Sequence, residues 1–356
     1  MLEIPSLSGE EDRLAEWLVK RLGELGFEAD RDRAGNVVAA WGSGKTEVVL
    51  LGHIDTVPGF IEVRREDNRL YGRGAVDAKG PMAAAIAAVS RQPVGSGCRF
   101  TVIGAVEEEG SSRGARHLVG RRAPDQLVIL EPSGWDAVTL GYKGSLRLRY
   151  RLSQPMGHGA GPLKSAGDKA IAFIRKVQEF AEVVPPPPPS PQGGGRQKSP
   201  SPKGGRAATS AFDRLDVRVI RLHVDNDGFR ETAAMSLGFR LPPGFDVATF
   251  KQQLEQWRDG AELRFEYADA AVRMDKNTPV VRAFLKAIRE AGGTPRFKMK
   301  TGTSDMNILA PVWGCPALAY GPGDSRLDHT PDEGVDLDEF ERGVDVLTSA
   351  LSDLAR

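Results

Sequence analysis

The sequence predicts an α/β protein built on a mostly parallel mixed sheet with helices on both faces, into which an α+β domain is inserted. Four continuous apolar runs, at residues 48–51, 100–106, 127–130 and 316–320, are typical of strands buried on both faces. Helical patterns alternate with these runs, which favours parallel strands. Each run is followed by His, Asp or Glu. Because such sheets bind ligands beyond the carboxyl ends of their strands, these polar side chains should meet at one edge.

Local signals define the elements around the first buried strand. Ser8 begins and Gly26 ends an amphipathic helix within residues 4–26, and strands follow at residues 36–40 and 46–51. The Ala-rich residues 82–89 predict a second helix. Residues 42–46, GSGKT, resemble part of a phosphate loop, but Ala39 stands where that motif requires glycine and a strand follows instead of a helix. We therefore predict no nucleotide site.

The pattern changes between residues 142 and 272, which predicts an inserted lid or dimerisation domain. Longer alternating strands at 138–152, 215–224, 232–241 and 262–267 surround helices at 164–184 and 247–257. Residues 185–206 are rich in Pro, Gly and Ser and predict a disordered loop. Residues 1–141 and 273–356 then form the catalytic domain, whose later part holds a helix at 279–291, segments at 297–303 and 304–309, and a closing helix at 337–354.

Composition narrows the class of protein. Lys plus Arg number 48 and Asp plus Glu also number 48, so the formal net charge is zero. No overall electrostatic attraction therefore favours binding to nucleic acid or to an anionic membrane. Without an apolar run long enough to span a bilayer, the chain is expected to be soluble and cytoplasmic. The two cysteines, Cys98 and Cys315, predict buried free thiols rather than a disulfide framework.

The polar clusters suit a catalytic metal site. Their nitrogen and oxygen donors include no thiolate, which is typical of catalytic rather than structural zinc; they are His53, Asp77, Glu108, Glu131 and His329. If Asp77 bridges two ions, one takes His53 and Glu131 and the other takes Glu108 and His329. Asp55, two residues after His53, would orient its ring. Adjacent strand residues point to opposite sides, so Glu107 would be the general base beside the ligand Glu108.

Six motifs in this order resemble the co-catalytic dizinc amidohydrolases, which include aminoacylases, acetylornithine deacetylases and succinyl-diaminopimelate desuccinylases: GHIDTVPG, GRGAVDAKG, VEEEGSS, EPSG, TGTSDMN and YGPGDSRLDHTPDE. The resemblance implies a zinc-exopeptidase-like fold, the ligands above, Glu107 as base, and two Zn²⁺ per subunit for which Co²⁺ substitutes. It also implies a cis peptide bond after Asp77. It further implies a homodimer formed through the lid, with His158 reaching the partner's site, Arg240 binding the substrate carboxylate, and Thr303 among the substrate-binding residues.

Within that family the motifs are most similar to the hydrolases that release lysine or ornithine from the amino-group carrier protein LysW, the last step of lysine biosynthesis through α-aminoadipate. Deacetylation of acetylornithine or acetylcitrulline is an alternative with the same metals. A serine hydrolase is a more remote alternative. It is suggested by residues 110–114, which match the GxSxG motif around Ser112 and are followed in the chain by Asp324, Asp328 and His329. A non-catalytic protein that binds a metal or an amino acid is a third.

Three arginines of the inserted domain, Arg147, Arg149 and Arg151, alternate with apolar residues and should share one face of a strand. This pattern fits either a solvated face of the lid or a docking site for an acidic carrier.

Overall fold

The computed structural model describes residues 1–158, 161–183 and 210–356, and the bounds of its helices and strands are as follows. The predicted disordered loop at 185–206 lies outside these residues. The helices are α1 (Asp12–Glu24), α2 (Lys79–Ser90), α3 (Arg113–Leu118), α4 (Ala166–Val183), α5 (Val247–Trp257), α6 (Pro279–Glu290), α7 (Met306–Trp313) and α8 (Leu337–Leu354), with a 3₁₀ turn at Ala211–Asp213. The strands are β1 (Glu28–Arg31), β2 (Val37–Trp41), β3 (Thr46–His53), β4 (Arg64–Glu66), β5 (Arg69–Tyr71), β6 (Cys98–Ala105), β7 (Gln126–Ile129), β8 (Ala137–Tyr142), β9 (Gly144–Pro155), β10 (Asp216–Asn226), β11 (Arg230–Leu241), β12 (Glu262–Asp269), β13 (Val272–Arg273), β14 (Arg296–Lys300), β15 (Ala317–Ala319) and β16 (Gly334–Asp336).

The largest sheet is mixed, with a parallel centre. Its order is β1-β2-β6-β3-β7-β15-β8-β13, and β14 pairs with β8. The four central strands, β6, β3, β7 and β15, run parallel, while β1, β2 and β8 are antiparallel to their neighbours. These central strands are the four apolar runs of the sequence, so the predicted fold class is confirmed.

Burial on both faces explains why the central strands carry no polar alternation. In β3, Val48 and Leu50 lie in the apolar core that α1, α2, α6 and α8 share with the sheet. Val49 and Leu51 point to the opposite face, and they too are fully buried. The small residues of α2 and Gly52 of β3 allow close packing, since a Cβ on Gly52 would lie 2.8 Å from Cβ of Leu130.

The chain divides into two compact units. The first contains Met1–Gly141, Arg273–Met299 and Ser304–Arg356, and the second contains Tyr142–Val272 and Lys300–Thr303. Residues 300–303 were expected in the catalytic domain, but the structure groups them with the inserted unit. One reason is a backbone hydrogen bond from the Lys143 nitrogen to the Lys300 oxygen (3.2 Å).

The second unit is a four-stranded antiparallel sheet in the order β10-β11-β9-β12. One face of this sheet packs on α4 and α5 around an apolar core that includes Leu148, Phe173 and Phe250. The other face is exposed, and it carries the arginines that alternate with buried residues along β9. The sequence predicted one strand at residues 138–152, but the structure has two, β8 and β9, separated by Lys143.

Lys143 is fully buried, and its ammonium group anchors the chain where β10 begins. It donates to the carbonyl oxygens of Ala211 (3.1 Å) and Arg214 (2.5 Å) and to the carboxylate of Asp216 (2.5 Å). A buried ammonium needs such partners to compensate for lost hydration, and here they fix the start of the edge strand.

Two further features concern single elements. The predicted segment at 304–309 forms α7, a helix that ends at Gly314 in the left-handed conformation (φ 62°). Cys98 and Cys315 are buried free thiols, as predicted. Among the helices of the described residues, none combines the length and the apolar composition needed to cross a bilayer.

Candidate active site

The functional side chains of the first unit follow the carboxyl ends of its parallel strands. His53 is the last residue of β3, residues 107–109 follow β6, and Glu131 follows β7 by two positions. His329 lies in the loop between β15 and β16. Because β6, β3, β7 and β15 are parallel neighbours, these positions gather at one edge of the sheet, as the sequence predicts.

At this edge the side chains form two triads of possible metal ligands that share Asp77. One consists of His53, Asp77 and Glu131, and the other of Asp77, Glu109 and His329; within each, the donor atoms lie within 4.8 Å of one another. Nε2 of His53 is 3.1 Å from Oδ1 of Asp77 and 4.0 Å from a Glu131 oxygen. Nε2 of His329 is 3.1 Å from Oδ2 of Asp77 and 2.6 Å from Oε1 of Glu109.

This arrangement fits a pair of divalent cations. Ligand atoms bound tetrahedrally at about 2.0–2.2 Å lie about 3.3–3.6 Å apart, which is close to the 3.1 Å that separates each histidine nitrogen from an Asp77 oxygen. The two oxygens of Asp77 point to different histidines, as a bridging carboxylate requires. Imidazole and carboxylate donors without thiolate suit a catalytic zinc centre.

The contacts of the glutamates after β6 differ from those expected for Glu107 as the base and Glu108 as a ligand. The carboxylate of Glu107 accepts hydrogen bonds from Ser111 Oγ (2.5 Å) and Arg113 Nε (2.6 Å), which lower its pKa. Glu109, which the sequence analysis left without a role, contacts His329 in place of Glu108. Glu108 has a carboxylate oxygen within 4.8 Å of donor atoms of His53 and Glu109.

Backbone conformation explains why these contacts differ from the expected ones. The expectation assumed an extended strand through residues 107–108, but β6 ends at Ala105 and Glu107 adopts a positive φ of 58°. The chain then turns, with the nitrogens of Gly110 and Ser112 donating to the Glu107 oxygen. Alternation of side chains does not apply in a turn, so the two residues after Glu107 both enter the site.

Asp55 holds this turn and His53 together. Its carboxylate accepts from the backbone nitrogens of Glu108 and Glu109 (both 3.0 Å) and from Ser8 Oγ (2.7 Å). Nδ1 of His53 lies 3.4 Å from the same carboxylate and 3.0 Å from the Asp55 carbonyl oxygen. Burial alone would raise the pKa of Asp55, but the hydrogen bonds from His53 and Ser8 lower it, so this residue stays ionised.

The surroundings of Glu108 favour the protonated form of its carboxyl group. Burial, followed by the charges of Asp305, Glu131 and Glu109, raises the pKa of Glu108 well above its usual value, although His53 opposes the shift. A carboxylate with a raised pKa is a stronger base, which suits proton transfer near neutral pH. Asp305, only 2% exposed, belongs to the TGTSDMN motif, whose sequence alone predicted no role for it.

Glu333 positions the loop that carries Asp77. One of its carboxylate oxygens accepts from the backbone nitrogens of Val76 and Asp77 (both 3.0 Å), and the other accepts from Arg73 Nη1 (2.8 Å). Sequence reasoning missed Glu333, and its only signal was its place in HTPDE, four residues after His329. The peptide bond between Asp77 and Ala78 is cis, as the family resemblance implies, and α2 begins at the next residue.

Both site histidines hold protons more tightly than a free imidazole. Burial would lower the pKa of His53, but hydrogen bonds with Asp55 and Asp77 raise it well above its usual value. Hydrogen bonds to Asp77 and Glu109 raise the pKa of His329 to about 10. Cations that bind here must displace these protons, so their binding becomes stronger as pH rises.

The predicted substrate-binding residues lie in the second unit. Arg240 Nη1 donates to Thr303 Oγ1 (3.0 Å), so the structure brings these two together. His158 is exposed beyond the end of β9, and its expected reach into a partner's site stays a prediction. In the first unit, Ser112 has the positive φ (50°) of a nucleophile elbow, but its hydroxyl donates to the Glu108 carbonyl oxygen while His329 contacts carboxylates. This geometry does not form the serine–histidine pair of the serine-hydrolase alternative.

Comparison with known proteins agrees with this geometry. Residues 49–353 match the model of peptidase family M20/M25/M40. The chain is 46% identical to the [LysW]-lysine hydrolase of Deinococcus radiodurans, over 99% of this chain and 94% of that protein. It is 37% identical to a putative [LysW]-lysine/[LysW]-ornithine hydrolase of Thermococcus kodakarensis, over 99% and 90%. An M20 family metallo-carboxypeptidase from Sulfolobus solfataricus has a similar fold, with a TM-score of 0.79 at 18% identity over 99% of this chain and 96% of that one.

Proposed function

The chain belongs to peptidase family M20/M25/M40, and from this membership we propose that it is a metal-dependent amidohydrolase that releases lysine, or ornithine, from the γ-glutamyl terminus of the amino-group carrier protein LysW. The observation that carries the reaction class is the pair of ligand triads sharing Asp77, with the half-buried carboxylate of Glu108 beside them. The substrate rests on the relatives in Deinococcus and Thermococcus, which match nearly the whole chain.

Two Zn²⁺ ions per subunit, or Co²⁺ in their place, would occupy the triads. His53, Asp77 and Glu131 would hold one ion, and Asp77, Glu109 and His329 the other. When bound, such cations polarise the amide carbonyl and lower the pKa of water. Proton transfer and substrate binding are carried out by side chains of this protein.

Glu108 is the general base of the proposed reaction. Its carboxylate takes a proton from the attacking water and then delivers that proton to the amine of the departing lysine. Asp55 fixes the backbone nitrogens of Glu108 and Glu109, so base and ligand keep a constant relative position. The buried surroundings that raise the pKa of Glu108 favour both transfers.

Recognition of the released amino acid falls to Arg240 and Thr303. A guanidinium group can bind a carboxylate through two parallel hydrogen bonds, and the contact with Thr303 limits the orientations that Arg240 adopts. We further propose a homodimer formed by the second unit, with the partner's His158 completing the substrate site. Because the proposed role is in amino-acid biosynthesis, we also propose that the protein is cytoplasmic.

The test of this function is a competition between two substrates. The purified enzyme, loaded with Zn²⁺, is given carrier-linked lysine and N-acetylornithine together, and release of each amino acid is followed by mass spectrometry. We expect release of lysine and little deacetylation. The reverse preference would support an acetylornithine deacetylase.

Chelation provides the control on chemistry. We expect dialysis against a strong chelator to abolish both activities and added Zn²⁺ or Co²⁺ to restore them, because no other electrophile in the described site can activate the amide. Full activity in chelator would contradict the metal-dependent mechanism.

A further inference from the structure

Residues 4–11 form an irregular segment that packs against the loops of the candidate active site, and we call this segment the strap. It contains no helix or strand, apart from an isolated bridge between Leu7 and Thr56. Its two buried residues are polar, with Ser6 1% exposed and Glu11 3% exposed. A segment that only completed an apolar core would bury its hydrophobic residues instead. Hydrogen bonds must therefore determine where the strap lies.

One set of these bonds joins the strap to the loop after β3. The Ser6 carbonyl oxygen accepts from the Thr56 nitrogen (2.8 Å), and Ser6 Oγ donates to the Ile54 carbonyl oxygen (2.6 Å). Ser8 Oγ donates to Oδ2 of Asp55 (2.7 Å). The strap thus holds three consecutive residues of the loop that follows His53.

The first residue of the strap is anchored at the start of α2. Lys79, which is 2% exposed, donates from Nζ to the Ile4 carbonyl oxygen (2.8 Å). A buried ammonium group needs such an acceptor in place of water. Lys79 follows Asp77 by two residues, so the strap contacts a second segment that leads into the site.

The side chain of Glu11 reaches the turn after β6. Its Oε1 accepts from the backbone nitrogens of Glu107 (3.0 Å) and Gly9 (2.8 Å). The spacing of Ser8 and Glu11 is that of a helix capping box, in which the two side chains would bond the first turn of the helix. Instead α1 begins at Asp12, and the side chain of its N-cap residue, Glu11, makes no capping bond. The polar residues that predict a helix start are bonded to the site.

Three consecutive backbone nitrogens of this turn donate to two buried carboxylates. The Glu107 nitrogen donates to Glu11, and the nitrogens of Glu108 and Glu109 donate to Asp55. Successive N–H groups of a turn can converge on negatively charged oxygens in this way. Glu107 has a positive φ of 58°, which a residue with a side chain keeps only where its surroundings hold it. Glu11 supplies one of the two anchors.

We infer that Glu11 is a positioning residue of the proposed reaction. Through the backbone of Glu107 it fixes the turn, so that the carboxylates of Glu108 and Glu109 enter the site in a constant relation. The inference rests on the proposed function, in which Glu108 is the base and Glu109 a metal ligand. Glu11 itself contacts neither the substrate nor an ion, and it acts only through the turn.

The experiment compares substitutions at two neighbouring glutamates. Glu11→Leu keeps a similar size but removes the acceptor oxygens, Glu11→Asp withdraws the carboxylate by one methylene, and Glu11→Gln keeps an acceptor at the same place. The matched control is Glu10→Leu, at an exposed residue of the strap. Each protein is assayed on the short probe N-acetyl-γ-glutamyl-lysine and is titrated with Zn²⁺ against a competing chelator. Amide hydrogen exchange of the metal-free protein is followed by mass spectrometry.

We expect Glu11→Leu to lower kcat for the short probe about 10- to 100-fold with KM nearly unchanged, because the base loses its position while substrate binding remains. Of the two Zn²⁺ ions, the one that Glu109 would hold should bind about 10- to 100-fold more weakly, and the other should bind as in the wild type. Exchange should become faster at residues 106–112 and nowhere else. Glu11→Asp should show the same selective pattern.

The conservative and control variants should behave differently. Glu11→Gln retains an oxygen that can accept from the Glu107 nitrogen, so its kcat should stay within about threefold of the wild type. Glu10→Leu should match the wild type in every assay. Wild-type behaviour of Glu11→Asp would contradict a positioning role, and this variant keeps the test available if Glu11→Leu does not fold.

A double-mutant cycle separates positioning from general damage. If Glu11 acts by placing the base, Glu11→Leu should cause little further loss of kcat in a protein that already carries Glu108→Gln. Two losses of kcat that multiply would instead show that the residues act independently, which would overturn the inference.

Other results would also overturn it. Unchanged kcat and unchanged exchange in Glu11→Leu would do so. Equal weakening of both Zn²⁺ ions, or faster exchange throughout the protein, would indicate an ordinary structural role. A wild type that does not cleave the short probe would refute the proposed function, and hydrogen exchange, which needs neither substrate nor metal, would still decide whether Glu11 fixes the turn.

Discussion

The two units of the protein handle charge in opposite ways. In the first unit, carboxylates and imidazoles gather at the end of a parallel sheet, where Asp55 and His53 are buried and two backbone nitrogens donate to the Asp55 oxygens. In the second unit, guanidinium groups stand exposed on an antiparallel sheet and face one another. Both arrangements cost the isolated protein stability, and both make sense when a ligand of opposite charge is present.

This difference shows which kind of ligand a parallel sheet and an antiparallel sheet can each bind. Parallel strands bring residues that are distant in the chain to one edge, which suits a small, strongly charged ligand with several contacts. An antiparallel sheet repeats the same pattern on neighbouring strands, which suits a broad surface. The following substitutions test whether chemistry belongs to the first unit and recognition to the second.

The largest effect should come from Glu108. Glu108→Gln removes the proposed base but keeps its size, so kcat should fall by about 2 to 4 orders of magnitude while zinc content stays intact. The matched control is Glu107→Gln, whose carboxylate contacts Ser111 and Arg113 and should lower kcat about threefold at most. Steady-state kinetics with metal analysis checks both. A large loss of kcat in Glu107→Gln, together with near-normal kcat in Glu108→Gln, would support Glu107 as the general base, as predicted from sequence.

A smaller effect is expected from Glu333, whose carboxylate acts on the site only through the backbone of Val76 and Asp77. Glu333→Gln weakens the hydrogen bonds that hold the backbone of Val76 and Asp77, so zinc affinity should fall about 10- to 100-fold. Titration against a competing chelator measures this affinity, and activity at saturating zinc should largely recover. Glu341→Gln on the exposed side of α8 is the control. Unchanged zinc affinity with reduced kcat would contradict the positioning role.

In the second unit, Arg240→Lys tests the proposed clamp on the substrate carboxylate. Lysine keeps the charge but cannot form two parallel hydrogen bonds, so KM for the short γ-glutamyl-lysine probe should rise about 10-fold. Arg218→Lys, on the same face but outside the proposed clamp, should leave KM for this probe unchanged. Equal KM for both variants would remove Arg240 from the substrate site.

The smallest effect concerns pH and stability of the metal-free protein. Contacts with Asp77 and Glu109 raise the pKa of His329 from 6.5 to about 10, so the folded state binds this proton more tightly than the unfolded state. The added stability is complete below about pH 6.5 and is lost as pH rises through about 10. In chelator, the Tm advantage of the wild type over His329→Gln should therefore shrink across this window. Because His329 is half-exposed, the change should amount to a few degrees at most.

The control for this measurement is His117→Gln, which removes an exposed histidine of the same unit. Its Tm difference from the wild type should vary less with pH. A difference for His329→Gln that stays constant from pH 6.5 to 10 would show that its proton does not stabilise the fold.

Sequence alone predicts the central sheet and the edge where ligands gather. A strand buried on both faces must be apolar throughout, so runs such as residues 48–51 leave little choice of structure. His53 and Glu131 lie within two residues of the ends of such runs, so the sequence alone places them at this edge. The same reasoning predicted that Arg147, Arg149 and Arg151 share an exposed face.

The order of the glutamates was beyond sequence reasoning. Three identical residues in a row carry no information about which of them points inward. That choice depends on the left-handed backbone of Glu107 and on Asp55, which is more than 50 residues away and captures two backbone nitrogens. Glu333 and Lys143 act in the same way, through long-range contacts with backbone atoms that leave no periodic pattern.

The sharing of Asp77 between the two triads has an evolutionary consequence. A descendant of this protein that came to work with a single cation could give up Glu109 and His329, or His53 and Glu131, one at a time. It could not give up Asp77 by any such gradual route, because that one replacement removes a ligand from both positions at once. Among homologues that keep only one of the two proposed cation sites, this aspartate should be the last of the five residues to be replaced.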